Sequence, residues 1–144
     1  MKNLLILSIS ILLYSCTGIT YNQLLNRYTY SAGYYFPSDK KQLEDTVSQY
    51  INSYEKDPDL DNNIFGIIAP HAGYQYSGIV AGIAYRQIYG FENKTAIILA
   101  NSHLHPLEGI SIFPYGTYET PLGKVDIDEK LSKMFLNNFS FIKF

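Results

Sequence analysis

Residues 64–103 read IFGIIAPHAGYQYSGIVAGIAYRQIYGFENKTAIILANSH, and they carry most of the information about the fold. Two continuous apolar runs, 64–69 and 95–100, have the composition of strands that are covered on both faces. Between them lies a helical pattern with Ser77 as its predicted N-cap and Gly90 just past its end. The runs start about 31 residues apart, the length of a strand–helix–strand crossover, so we predict two parallel strands.

A histidine follows each predicted strand. His71 lies two residues beyond the first run, and His103 lies three residues beyond the second. Because parallel strands end at the same edge of a sheet, where open α/β sheets bind ligands, we expect both imidazoles at that edge. Two imidazoles can converge on a metal ion or flank a substrate, whereas a lone histidine equally often caps a helix. The pair therefore predicts a functional site.

Other polar residues lie close to this pair in the sequence. Hydroxyl groups that follow His71 can donate hydrogen bonds into the same crevice. His105 would point elsewhere on an extended loop, so we expect it in a supporting or surface position. The residues that we assign to the substrate or to the support of the pair are Tyr74, Tyr76, Ser77, Ser102 and His105.

The composition narrows the possible functions. The 144 residues are 47% hydrophobic and 17% charged, which is typical of one folded domain. The formal net charge is −2, with acidic and basic residues interspersed. A nucleic-acid partner is not expected, because the sequence has no basic stripe.

Residues 1–15 have the pattern of an export signal. A lysine is followed by an apolar run that is too short to span a bilayer as a permanent helix. Leu13-Tyr14-Ser15-Cys16 resembles the bacterial lipoprotein box, in which the cysteine sulfur is acylated. An ordinary signal peptide or a plain N-terminal core helix are the alternatives. We predict lipidation at Cys16, export, and a lipid anchor that holds the protein on the cell membrane or the outer membrane.

The mature chain is expected to open with a linker over residues 16–29, followed by an α/β domain over residues 30–144. Apolar residues at spacings of three and four predict an amphipathic helix over residues 39–54, with Ser38 as its cap. The elements predicted beyond His103 are a strand over 109–115, a loop over 118–123, a helix capped by Asp126 and a strand over 139–144.

Several ordered motifs resemble one known family. Pro70-His71-Ala72-Gly73-Tyr74, with Tyr76-Ser77-Gly78 and Ala84-Tyr85 after it, resembles the signature of the Memo-like proteins, whose bacterial members are called AmmeMemoRadiSam system protein B. The resemblance runs from about residue 28 to residue 132. The other matching stretches, in order, are Ala32-Gly33-Tyr34-Tyr35-Phe36-Pro37, Ser102-His103, and Glu119-Thr120-Pro121-Leu122-Gly123 with Val125-Asp126-Ile127-Asp128.

This resemblance implies a largely parallel sheet flanked by helices, similar to the class III extradiol dioxygenases. It also implies an iron or copper ion held by His71, by His103 and by a cysteine from the carboxyl-terminal half of the family's proteins. The family's Gly-Pro-Ser-His-His is Ala100-Asn101-Ser102-His103-Leu104 here, so the adjacent second histidine is replaced.

Family members are about twice as long as this chain, and the part that carries the third ligand has no counterpart here. We therefore expect a truncated member with an incomplete domain and an incomplete metal site, whose ancestral role was metal-dependent redox chemistry. A separate chain that supplies the missing half is a possible partner.

Two other functions stay open, and whether the chain is an enzyme is left undecided. One alternative is a non-catalytic, membrane-anchored lipoprotein that keeps the fold as an interaction module. The other is a metal-dependent hydrolase, for which Glu119 and Asp126 are the acid/base candidates.

Overall fold

The computed structural model describes residues 26–60, 64–92, 95–104 and 106–144. The predicted leader, Cys16 and His105 lie outside these ranges. The helices and strands in the described ranges are β1 (Asn26–Tyr28), α1 (Lys40–Asn52), α2 (Tyr74–Ile88), β2 (Ile110–Ser111), β3 (Thr117–Thr120), β4 (Gly123–Asp126), α3 (Glu129–Asn138) and β5 (Ile142–Lys143). The predicted α/β class is confirmed, and β1 occupies residues that we predicted to be linker.

The strands form two small sheets of mixed direction. In the first, β1 pairs parallel with β3, and β3 pairs antiparallel with β4. In the second, β2 pairs parallel with β5. A hydrogen bond of 2.5 Å from the Thr29 hydroxyl to the carbonyl oxygen of Glu119 continues the contact beyond β1. The largely parallel sheet that we predicted is not confirmed.

Residues 64–69 and 95–100 do not form the two predicted strands. Both segments lie outside every helix and ladder of the described chain. Phe65 and Ile68 are fully exposed, and Ile98 is 83% exposed. A continuous apolar run is stable as a strand only where neighbouring strands pair with its backbone and other layers cover both faces. The described chain provides neither for these segments.

Helix α1 follows its predicted amphipathic pattern. Asp39, rather than the predicted Ser38, is its N-cap, because the Asp39 carboxylate accepts a 2.8 Å hydrogen bond from the backbone N–H of Gln42. Leu43 points inward and is only 3% exposed. Tyr50 lies against α2, where a Cβ atom added to Gly82 would stand 2.5 Å from the Tyr50 carbonyl oxygen. Glycine at this position lets the two helices approach closely.

Helix α2 begins four residues before the predicted start. Its N-cap is Gly73, and Ser77 lies within the first turn as a buried residue. The Ser77 hydroxyl donates a 2.8 Å hydrogen bond to the carbonyl oxygen of Ala72, so it bonds back to the preceding loop instead of capping the helix. Gly90, with φ of +85°, follows the end of the helix as predicted.

The carboxyl-terminal part differs from our prediction in several elements. The strands predicted over 109–115 and 139–144 are the two-residue strands β2 and β5. Residues 118–123 are not a loop but the centre of the β3–β4 hairpin, in which Gly123 adopts φ of +136°. Helix α3 is capped by Asp128 rather than Asp126, since the Asp128 carboxylate accepts a 2.9 Å hydrogen bond from the Leu131 N–H. None of the helices in the described ranges is long and apolar enough to cross a bilayer.

Candidate metal centre

The loop that carries His71 is held on both sides. On one side, the Tyr74 N–H donates a 2.8 Å hydrogen bond to the carbonyl oxygen of Tyr35. A Cβ atom at Gly73 would lie 3.6 Å from the same oxygen, so the two segments are in van der Waals contact. On the other side, the buried Ser77 hydroxyl bonds the Ala72 carbonyl oxygen. These contacts fix the backbone immediately after His71.

Tyr74 is half-buried and packs against other aromatic rings. Its ring centroid lies 5.4 Å from that of Phe36, and 6.4 Å from that of Tyr50 in an edge-on arrangement. Burial raises the pKa of the Tyr74 phenol, and the neighbouring Tyr85 adds to the rise. The phenol is therefore neutral at physiological pH, and its main contribution is to anchor the His71 loop on α1 and on residues 35–36.

His103 lies beyond the second apolar run. At the start of that run, the Thr95 hydroxyl donates a 2.9 Å hydrogen bond to the Asp128 carboxylate at the N-terminus of α3. At its end, the Asn101 amide nitrogen lies 3.5 Å from His103 Nε2. Polar side chains at the two ends of the run thus connect it to α3 and place an amide next to the imidazole.

The structure brings the two predicted histidines together. Their Nε2 atoms lie 3.2 Å apart. The ring centroids are 5.3 Å apart, and the ring planes are inclined by 47°. Both side chains are exposed, so an ion or a small molecule can reach them from solvent.

This separation fits two ligands of one metal ion. Zinc sites, taken as a guide, have metal–imidazole distances of roughly 2.0–2.1 Å, which places two ligand nitrogens about 2.8–3.4 Å apart for angles of roughly 90–109°. The observed 3.2 Å lies in this range. In the absence of a metal, the same contact is a hydrogen bond in which one Nε2 carries the proton and the other accepts it.

The two imidazoles are a partial ligand set. Within the described residues, no group of three or more His, Cys, Asp or Glu side chains is close enough to hold a metal ion. Two protein ligands leave several coordination positions open and bind metal weakly. The donor set therefore fits an iron, copper or zinc ion as one part of a centre.

The remaining predicted residues lie in different places. Tyr76 is 80% exposed at the start of α2, and Ser77 is buried beneath the His71 loop. Ser102 is exposed beside His103. On the β3–β4 hairpin, the Glu119 carboxylate lies 3.5 Å from the Lys124 ammonium group, and Asp126 lies opposite Thr117. Among the described contacts, neither carboxylate bonds an imidazole.

Sequence reasoning missed the docking of residues 35–36 onto the His71 loop. The aromatic residues between Gly33 and Pro37 are evident in the sequence. A turn motif, however, does not indicate which distant segment of the chain it will contact. Asn101, whose amide is next to His103 Nε2, was also not predicted as part of the site. A polar amide two residues before a candidate ligand was the available signal.

Comparison with known proteins places this chain in a family. The family model described as Memo-like protein matches residues 27–144. A MEMO1 family protein of Nitrosopumilus maritimus is 34% identical over 115 residues, covering 78% of this chain and 42% of the relative. One from Thermoplasma volcanium is 32% identical over 111 residues, covering 77% and 40%, respectively.

A third relative, from Methanothermobacter thermautotrophicus, is 41% identical over 81 residues, covering 55% of this chain and 29% of the relative. The chain spans less than half the length of each of these three curated relatives. With a family match that extends over most of its residues, the chain belongs to the Memo-like protein family.

Proposed function

We propose that His71 and His103 bind one redox-active metal ion, iron or copper, and that this ion serves metal-dependent redox chemistry. The observation that carries the proposal is the 3.2 Å separation of the two Nε2 atoms. A bound iron or copper ion would supply one-electron chemistry and an open position for dioxygen or a substrate.

The surrounding residues prepare the imidazoles for this role. A ligand nitrogen must be free of its proton. When the Asn101 amide donates to His103 Nε2, it favours the tautomer in which the proton sits on Nδ1 and Nε2 keeps its lone pair. At 3.5 Å this hydrogen bond is weak, so it biases the tautomer without blocking a metal.

The loop contacts supply the positioning. The hydrogen bonds from Ser77 to Ala72 and from Tyr74 to Tyr35 fix the backbone next to His71. Fixed ligands lose less conformational freedom when they bind an ion, which supports affinity in an open centre. A fold similar to the class III extradiol dioxygenases, with a largely parallel sheet, is part of this proposal for the complete domain.

The proposal extends to the location of the protein. Export and acylation at Cys16 would anchor the metal centre at the cell membrane or outer membrane, as the lipoprotein-like sequence of residues 13–16 supports. Labelling with a palmitate analogue tests this part. Incorporation that is lost in Cys16→Ser supports it, and equal labelling of both proteins rejects it.

A second candidate function is a non-catalytic interaction module held at the membrane. The exposed apolar segments favour it, because exposed hydrophobic surfaces commonly mark sites of association. In this case the imidazole pair would be a structural hydrogen bond.

Metal analysis separates the two candidates. The chain is dialysed anaerobically to equilibrium against a saturating concentration of ferrous or cuprous ion, and the metal bound in excess of the free ion is measured. The proposal predicts near-stoichiometric metal that is lost in His71→Ala and in His103→Ala. Gln75→Ala, an exposed change on the same loop–helix junction, should retain the metal. Metal-free wild-type protein would favour the interaction module.

A further inference from the structure

A cleft of about 400 Å³ opens between the N-terminal half of α1, the first turn of α2 and the turn over residues 33–38. Its volume lies within the range of roughly 300–1,000 Å³ that is typical of small-molecule sites. Among the described residues, neither His71 nor His103 lines the cleft. It is therefore a second candidate site, apart from the imidazole pair.

The turn that forms one wall of the cleft is held in place by backbone hydrogen bonds. The Gly33 N–H donates a 2.7 Å hydrogen bond to the carbonyl oxygen of Phe36, and the Tyr35 N–H donates one of 2.9 Å to that of Ser31. The Tyr35 carbonyl oxygen accepts from Tyr74 at the start of α2. A wall that is already ordered loses little conformational freedom when a ligand binds.

Aromatic rings line much of the cleft. Tyr74 packs against Phe36 and Tyr50, with ring centroids 5.4 Å and 6.4 Å away. Tyr34 and Tyr35 also line the cleft, and they are 87% and 57% exposed. The face of an aromatic ring carries partial negative charge and attracts the C–H groups of a ligand. The exposed tyrosines thus offer faces on which a flat ligand can stack.

Helix α1 adds polar groups to the opposite wall. Gln42, Thr46 and Tyr50 are four residues apart, so they lie on one side of the helix, and all three line the cleft. The Thr46 hydroxyl donates to the Gln42 carbonyl oxygen at 2.7 Å, and its own oxygen can still accept. In the part of the chain that the structure describes, the Gln42 side-chain amide makes no hydrogen bond. This amide can both donate to a ligand and accept from it.

The charge of the lining selects the class of ligand. Among the described residues, none that lines the cleft is Asp, Glu, Lys, Arg or His. A charged ligand would lose water without gaining an opposite charge, and a purely apolar ring would leave the Gln42 amide unpaired. A sugar ring avoids both costs, because its C–H face stacks on tyrosine and its hydroxyls donate and accept. We propose that the cleft binds a neutral saccharide.

Titration with methyl glucoside tests the proposal. Amide NMR spectra of the isotope-labelled 144-residue chain are recorded in EDTA, so that the result does not depend on metal binding. We expect saturable shifts of the Gln42 side-chain amide and of the backbone N–H groups of Tyr34 and Thr46. Glucuronate, the same ring with a carboxylate, should bind at least about tenfold more weakly, because the lining has no cation to pair with it.

Substitutions on the two walls locate the binding site. Tyr34→Ala removes an exposed ring face and Gln42→Ala removes the free amide, so each should weaken binding about tenfold. The Gln42 backbone N–H still bonds Asp39 in the variant, so α1 keeps its cap. The matched controls are Tyr30→Ala, at an 89% exposed tyrosine, and Gln49→Ala, at an exposed glutamine of α1. Neither control residue lines the cleft, and both variants should bind as the wild type does.

Three results would overturn the proposal. The first is a wild-type chain whose amide shifts do not change up to the solubility limit of methyl glucoside. The second is sugar binding that keeps its affinity in both Tyr34→Ala and Gln42→Ala. The third is tighter binding of tetramethylammonium or phenol than of methyl glucoside at the same residues, which would assign the cleft to a cation or to an aromatic ring.

Discussion

The Nε2 atoms of His71 and His103 lie 3.2 Å apart, although 32 positions separate the two histidines in the sequence. Two loops meet at this point, and each has its own support. Ser77 and Tyr74 hold the first loop, and Asn101 lies against the imidazole of the second. The proposed metal centre depends on this convergence.

The close contact between α1 and α2 predicts that Gly82→Ala destabilises the chain. The added Cβ atom would meet the Tyr50 carbonyl oxygen at 2.5 Å, and a backbone atom cannot move aside as a flexible side chain can. Overpacking of this kind costs about 1–3 kcal/mol, which exceeds the gain of roughly 0.5–1 kcal/mol from alanine in a helix. Urea denaturation followed by circular dichroism measures the change.

Gly66→Ala is the matched control for this prediction. No atom outside its immediate neighbours lies within 4 Å of the added Cβ atom, so the free energy of unfolding should change by less than about 0.5 kcal/mol. Equal destabilisation by the two substitutions would argue against close helix packing at Gly82.

The buried hydroxyl of Ser77 predicts a positioning role for this residue. Ser77→Ala removes the hydrogen bond to the Ala72 carbonyl oxygen, at a cost of about 1 kcal/mol of stability. Because the loop next to His71 loses one support, we also expect metal affinity to fall about threefold to tenfold. Calorimetric titration with a metal ion and chemical denaturation measure the two effects separately.

Ser132→Ala distinguishes positioning from a general loss of stability. Ser132 is a similarly buried serine, but it lies in α3. Its substitution should leave the metal affinity unchanged, whatever it does to stability. A common loss of affinity in both serine variants would mean that Ser77 acts through global stability alone.

The cap of α3 predicts a loss of stability in acid. The backbone N–H of Leu131 holds the pKa of Asp128 below its ordinary value of 3.8, and the Thr95 hydroxyl adds to the effect. A lowered pKa in the folded state means that this contribution is present above pH 3.8 and is lost as the pH falls through the folded pKa. The melting temperature should therefore decline in this acid range.

Asp128→Asn tests the origin of that decline. Asparagine still caps a helix but has no charge to titrate, so the acid-dependent decline of the melting temperature should be smaller in the variant. Asp59→Asn, at an exposed turn residue, is the control for removal of one carboxylate. An identical acid profile for wild type and Asp128→Asn would contradict the assignment.

The helices were largely predictable because their signals are local. The spacing of Leu43, Val47 and Tyr50 predicted α1 to within two residues at its C-terminal end. The cap of α1 was harder to predict, since Ser38 and Asp39 are adjacent and both residue types accept an N–H hydrogen bond. Helix α2 begins earlier than we predicted, and its buried Ser77 bonds back to Ala72 instead of capping the helix. Whether a serine makes one bond or the other depends on its burial and not on its residue type.

The strands were harder to predict because their pairing is not local. The polar residues and Pro121 of the β3–β4 hairpin indicated a loop, whereas its register is set by pairing across the turn. The apolar runs indicated strands, but the described chain gives them no partners. The convergence of the histidines was nevertheless predicted correctly from their matched positions after the two runs.

The central claim is that one metal ion is bound by both His71 and His103. Electron paramagnetic resonance of the Cu(II)-loaded chain tests it directly, because coupling to imidazole nitrogens reports how many of them bind the ion. The proposed centre predicts two coupled imidazoles in the wild type and the loss of this two-imidazole signal in both His71→Ala and His103→Ala. An unchanged nitrogen count in either variant would contradict it.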